Sequence, residues 1–139
     1  MRLLLLVLDH QPNLFDMSSS LTIGIYRRTG TRASVVFRRG KVPYRITTVE
    51  FAPAVVAAFR EYADMLKRNE TGANFVFEIL CPRKRNRVVE IGLSGKKAHL
   101  CVFEMAGEEL KLCFKWSGSR EVLREAVMQF TLMAFMSKY

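Results

Sequence analysis

The sequence predicts an α+β fold: two antiparallel β-meanders, each followed by a helix (ββββα twice), with the sheets packed on the helices. Three observations lead there. Short runs of alternating apolar and polar residues recur between Gly- and charge-rich turns, the period-2 mark of half-buried strands. Two other segments, one after Pro53 and one after Ser119, repeat apolar residues at three- and four-residue steps. Finally, the 139 residues are 50% hydrophobic and 25% charged, enough apolar material for one core and too much for a disordered tail. Residues 1–20 are expected as an N-terminal strand and loop. Residues 21–139 are expected as one domain of two strand–helix repeats, 21–70 and 74–139.

In the first repeat, Leu3 to Leu8 form an apolar run that is too short to cross a membrane. Asp9 follows at once and no small-residue cleavage site comes after it, so a buried strand is expected rather than a signal peptide. Leu21, Ile23 and Ile25 then alternate with Thr22, Gly24 and Tyr26. After Thr29-Gly30-Thr31 come Ala33, Val35 and Phe37, and after Arg39-Gly40 come Val42, Tyr44 and Ile46. Pro53 suits the first turn of a helix, which continues through Val55, Val56, Phe59, Tyr62, Ala63 and Leu66.

The second repeat is a clearer meander. Phe75, Phe77 and Ile79 precede a basic loop; Val89, Ile91 and Leu93 precede Gly95-Lys96, a glycine-led hairpin turn. That turn sets Leu93 opposite Ala98, Ile91 opposite Leu100 and Val89 opposite Val102. A three-residue loop at 106–108 would set Val102 opposite Leu112 and Leu100 opposite Phe114, placing Leu110, Leu112, Phe114 and Trp116 on the core face. Ser117-Gly118-Ser119 supplies a cap for the last helix, whose final turns are apolar nearly all round. Such a helix cannot bury every side in its own domain, so Phe130, Met133, Phe135 and Met136 are expected at an oligomer interface.

The net charge is +9, with eleven basic against six acidic residues in 1–70 and eleven against seven in 71–139. The surplus belongs to the folded body and favours polyanionic partners. Residues 27–45 hold seven basic side chains and no acid: Arg27, Arg28, Arg32, Arg38, Arg39, Lys41 and Arg45. The first hairpin sets Arg28 across from Arg32 and Thr22 across from Arg38, an opposition of like charges that a phosphate would relieve. Tyr26 and Tyr44 add aromatic faces on which bases can stack, although parity also puts Phe37 and Tyr44 with the core residue Val35. In the second repeat Arg83, Lys84, Arg85 and Arg87 crown one loop and Lys96 and Lys97 another. Lys111 and Lys115 share the outer face with His99, Cys101, Phe103 and Cys113. Glu78 and Glu90 are expected opposite each other on this face. Pairing with a nearby Arg or Lys accounts for them better than a divalent cation.

Catalysis lacks its parts. There are two histidines, His10 and His99, no His-Glu or Cys-His spacing of a hydrolase, and no Gly-rich phosphate loop with its lysine. No enzyme activity, cofactor or metal is expected. Cys81, Cys101 and Cys113 include no C-x-x-C pair, which suggests reduced thiols and an intracellular setting with no membrane contact.

The layout of strand-rich runs closed by helices resembles the single-stranded nucleic-acid-binding fold of Whirly proteins, kinetoplastid mitochondrial RNA-binding proteins, related transcriptional coactivators and PUR-repeat proteins. ITTVEFAPAVVAAFREYADML, from Ile46 to Leu66, resembles a coactivator strand-into-helix junction. EVLREAVMQFTLMAFMSKY, from Glu121 to Tyr139, resembles the apolar last helix of Whirly chains. The resemblance implies a homo-oligomer, a dimer or tetramer, that binds single-stranded DNA or RNA in transcription, RNA processing or genome maintenance. The alternative is a scaffold subunit of a larger complex that makes no nucleic-acid contact.

Overall fold

The computed structural model describes residues 20–27, 33–48, 72–81 and 84–136, together with 57, 59–62, 64, 65 and 68. They form seven strands: β1 (Leu21–Arg27), β2 (Ala33–Arg39), β3 (Val42–Thr48), β4 (Ala73–Ile79), β5 (Arg87–Ser94), β6 (Lys97–Ala106) and β7 (Glu109–Ser119). Helical residues 57, 59–62 and 64–65 make up α1, and Arg120–Met136 is α2. All pairing is antiparallel, in a three-stranded sheet ordered β1-β2-β3 and a four-stranded sheet ordered β4-β5-β6-β7.

The expected doubled ββββα unit is not what the chain builds. Most described residues are strand, and the first sheet has three strands where the second has four. The run Leu3 to Leu8, which would have been a fourth strand, and Pro53 both lie outside the described residues.

Three hairpins turn on a glycine that leads a two-residue loop: Gly40-Lys41, Gly95-Lys96 and Gly107-Glu108. Each glycine has a φ of 61–68°, the left-handed region where a Cβ would be strained. The β5–β6 register is as expected, with Leu93 opposite Ala98, Ile91 opposite Leu100 and Val89 opposite Val102.

The β6–β7 register is not as expected. The loop is two residues long, so Phe103 faces Leu112 and Met105 faces Leu110. A bulge between Val102 and Phe103 then absorbs Cys113 and pairs Val102 with Phe114 and Leu100 with Trp116, each two residues beyond its expected partner. Below the bulge the pleat is inverted, which leaves Leu110 and Leu112 54% and 49% exposed rather than in the core.

Each helix crosses to the other half of the chain. α2 packs chiefly on β1. In α1, the Phe59 ring lies 5.1 Å from Phe77 of β4 and 4.5 Å from Phe130 of α2, while Tyr62 lies 6.2 Å from Phe75. One continuous core results, running from Ile23, Val35 and Phe37 through Phe59 and Phe130 to Leu100 and Trp116. Ser119 caps α2 as expected, its Oγ accepting the Val122 N–H at 3.2 Å.

Candidate nucleic-acid interface

The outer face of the first sheet is built from three cross-strand rows. Thr22, Arg38 and Pro43 form one row, Gly24, Val36 and Arg45 the next, and Tyr26, Ser34 and Thr47 the third. Arg38 and Arg45 are exposed diagonal neighbours in adjacent rows, with Cα atoms about 7–8 Å apart by sheet geometry. Neither has a carboxylate partner among the described residues.

The Tyr26 ring folds back over Gly24, where a Cβ would meet it at 3.1–3.3 Å. Arg45 Cζ sits 5.9 Å from the centre of that ring, a cation–π arrangement that spans Val36 and helps bury it. Tyr26 nonetheless stays 45% exposed. Beside it a 320 Å³ cleft runs along β1, lined by Thr22, Gly24, Tyr26 and Arg38 on the sheet and by Gln129 and Met133 on α2. Glu125 stands at its helical rim, hydrogen-bonded to Gln129 Nε2 at 3.2 Å.

The other basic residues are distributed differently from the sequence expectation. Arg28, Arg32, Arg83 and the side chains of Arg27 and Phe135 lie outside the described residues. Arg39 shares the parity of Phe37 and reaches across to the second sheet, its Nη1 donating to the Lys115 carbonyl at 3.2 Å. Tyr44 also points inward, stacking on Phe114 at 6.4 Å.

Arg87, only 9% exposed, donates from Nε to the Tyr44 hydroxyl at 2.8 Å and from Nη1 to the Arg85 carbonyl, and its Nη2 lies 3.8 Å from Glu104. Burial pushes the Tyr44 hydroxyl above its ordinary value, opposed by this hydrogen bond. Arg85 pairs with Glu104 at 3.3 Å. Tyr44, Arg87 and Arg39 therefore tie the two sheets together, and Arg85 is partly neutralised. Lys41, Lys84, Lys96, Lys97, Lys111 and Lys115 are exposed; Lys41 and Lys96 occupy hairpin turns and Lys115 lies on the second sheet's outer face, but the bulge turns Lys111 to the other face, opposite Glu104 in the row of Arg87.

The expected oligomer contacts also shift. Phe130 is fully buried and Met133 packs against the core, whereas Met136 is exposed. Among the described side chains, the large exposed apolar residues of α2 are Met128, Leu132 and Met136, spaced by four and so on one stripe.

On the second sheet Glu78 and Glu90 are not opposed: Glu78 faces Val88 and Glu90 faces Val76. Asn86 Nδ2 donates to Glu78 at 3.3 Å, and Glu90 meets His99 at 3.4 Å. Glu90, His99 and Cys101 form a cluster that the sequence reading missed. The sequence puts all three on this outer face, and the β5–β6 register sets Glu90 opposite Cys101, but nothing in it shows the side chains converging. Burial pushes the Cys101 thiol up, Glu90 adds to that and Lys115 opposes it.

The comparisons with known proteins are silent. No family model, no curated protein and no solved structure matches this chain.

Proposed function

We propose that the protein binds nucleic acid, single strands in preference to duplex, and lays the phosphate backbone across the outer face of its first sheet. The observation that carries this is the acid-free platform on which Arg38 and Arg45 stand in adjacent rows beside a half-exposed Tyr26. Arginines without carboxylate partners supply the salt-dependent phosphate term, and an aromatic ring supplies sequence-tolerant stacking. The cleft along β1 is large enough to take a base that leaves the stack. Residues committed to the junction between the sheets, Tyr44, Arg87 and Arg39, form no part of this surface. Self-association through the Met128, Leu132 and Met136 stripe completes the reading and would repeat the platform.

Fluorescence anisotropy with single-stranded DNA, single-stranded RNA and duplex over a salt series tests this proposal. In R38E/R45E, affinity for the single strand should fall and the slope of log K against log salt should flatten by about 0.7 per lost phosphate contact. Y26A should cost about 1–3 kcal/mol at every salt concentration. Unchanged affinity in both variants removes the proposal.

A second reading, a protein-interaction subunit, draws on Val76, Leu80, Leu110 and Leu112, which are all exposed on the second sheet or at its ends. It predicts no oligonucleotide binding by the wild type.

A further inference from the structure

On the outer face of the second sheet, three side chains of different ligand chemistry converge. Glu90 on β5 and Cys101 on β6 are directly opposed, and His99 lies two residues from Cys101 on the same face. Beyond the Glu90–His99 contact, none of the three makes a hydrogen bond or ion pair among the described residues. The imidazole is held in place by an unusual neighbour. It lies over Gly92, its cross-strand partner, so closely that a Cβ there would fall 2.1 Å from Cε1. Only glycine leaves room for the ring to lie across β5 and reach Glu90.

We infer that Glu90, His99 and Cys101 form a binding site for a divalent cation of intermediate softness, zinc foremost. One carboxylate oxygen, one imidazole nitrogen and one sulfur all lie within 4.8 Å of one another. Ligand atoms around tetrahedral zinc, at its usual bond lengths, are separated by about 3.3–3.6 Å. His99 Nε2 and Glu90 Oε1 already stand 3.4 Å apart, longer than a good hydrogen bond and right for two ligands of one ion.

The remaining closure is on the Cys101 side, and bringing a separation of at most 4.8 Å to this range asks at most roughly an ångström, within reach of the partly exposed Glu90 and His99 side chains. Mixed S, N and O donors select zinc over magnesium or calcium, which prefer oxygen alone. The ligands sit within paired strands, which hold a site more rigidly than loops do.

Three protein ligands leave a fourth position for water or a ligand, and two of them, His99 and Cys101, line a 410 Å³ hollow together with Gly92, Ser94, Lys97, Lys115 and Ser117. Lys115 faces Cys101 across β6–β7, at the edge of this hollow. Being exposed, Lys115 can turn its ammonium away from an arriving cation. The inference draws nothing from the nucleic-acid reading, and either can fail alone.

Cobalt(II) and zinc(II) titrations of the reduced full chain test it. The wild type should bind one equivalent of cobalt with a near-ultraviolet thiolate-to-cobalt charge-transfer band, which zinc then displaces. E90Q, H99N and C101S, each checked for native circular dichroism, should weaken zinc at least about tenfold, the loss seen even for outer-shell partners. C101S should also abolish the charge-transfer band. G92A keeps all three ligands but displaces the His99 ring, so it should weaken zinc without removing the thiolate band. A wild type that shows no charge-transfer band overturns the inference whatever the variants do, as does zinc binding that survives all three ligand substitutions.

Discussion

Tyr44 looks like a stacking platform in the sequence and acts as a tie between sheets in the structure, and Tyr44→Phe separates the two roles. The substitution keeps the ring against Phe114 and removes only the hydroxyl that accepts Arg87 Nε at 2.8 Å. Arg87 is 9% exposed, so water cannot easily replace the lost partner. A hydrogen bond to a charged group contributes about 1.5–3 kcal/mol, and that is the expected loss of stability. At roughly 3–4 °C per kcal/mol for a chain of this length, the melting temperature should fall by about 5–12 °C. Urea unfolding followed by Trp116 fluorescence measures the change, and oligonucleotide affinity measured on the folded variant should stay at the wild-type value. Arg87→Met should also destabilise. The Y44F/R87M double variant should lose less than the sum of the two, by about 1–2 kcal/mol of coupling. If Y44F lies within about 0.5 kcal/mol of wild type, the junction is not the tie described here.

Three further outcomes follow from the same packing. The Tyr62 hydroxyl is buried without a hydrogen-bond partner among the described residues, and burial pushes it far above its ordinary value. With the folded value above the unfolded one, its contribution is intact below about pH 10 and is lost as pH rises further. Tyr62→Phe should therefore be neutral to about 1 kcal/mol stabilising at neutral pH and should flatten the alkaline decline in urea unfolding. Phe130→Ala should cost about 3–5 kcal/mol of folding stability, because the ring is core, whereas Leu132→Asp should leave monomer stability nearly unchanged and shift sedimentation toward smaller species. Gly118→Ala places a methyl 2.6 Å from Trp116 Cζ2, and calorimetry should show a loss of about 1–3 kcal/mol from this overpacking.

The local features of the fold were legible in the sequence because short-range chemistry sets them. Alternation fixed the face of each residue in β1, β2 and β5, the Gly95-led turn set the β5–β6 register, and Ser119 announced the start of α2. The Thr22–Arg38 pairing, and with it the placement of Arg38 on the outer face, came from the same reasoning. The β6–β7 register was missed because a single-residue bulge restores the core pattern above it while inverting the pleat below. Counting from the turn cannot see that, since either register pairs apolar with apolar residues.

What the sequence could not decide is long-range. The sequence counts Tyr44, Arg39 and Arg87 among the nucleic-acid contacts, because nothing local shows that a second sheet arrives there to receive them. Likewise, the apolar face of each helix was plain, but its partner was not. α2 lies on β1 and α1 on β4 because burying those faces across the two halves makes one shared core, and which surfaces meet depends on contacts between residues far apart in the chain. The Glu90, His99 and Cys101 cluster is a mixed case, since the Gly95-led register already sets Glu90 opposite Cys101. Strand pairing alone brings it together, over a glycine whose role appears only once the His99 ring is seen to occupy the space a side chain would need.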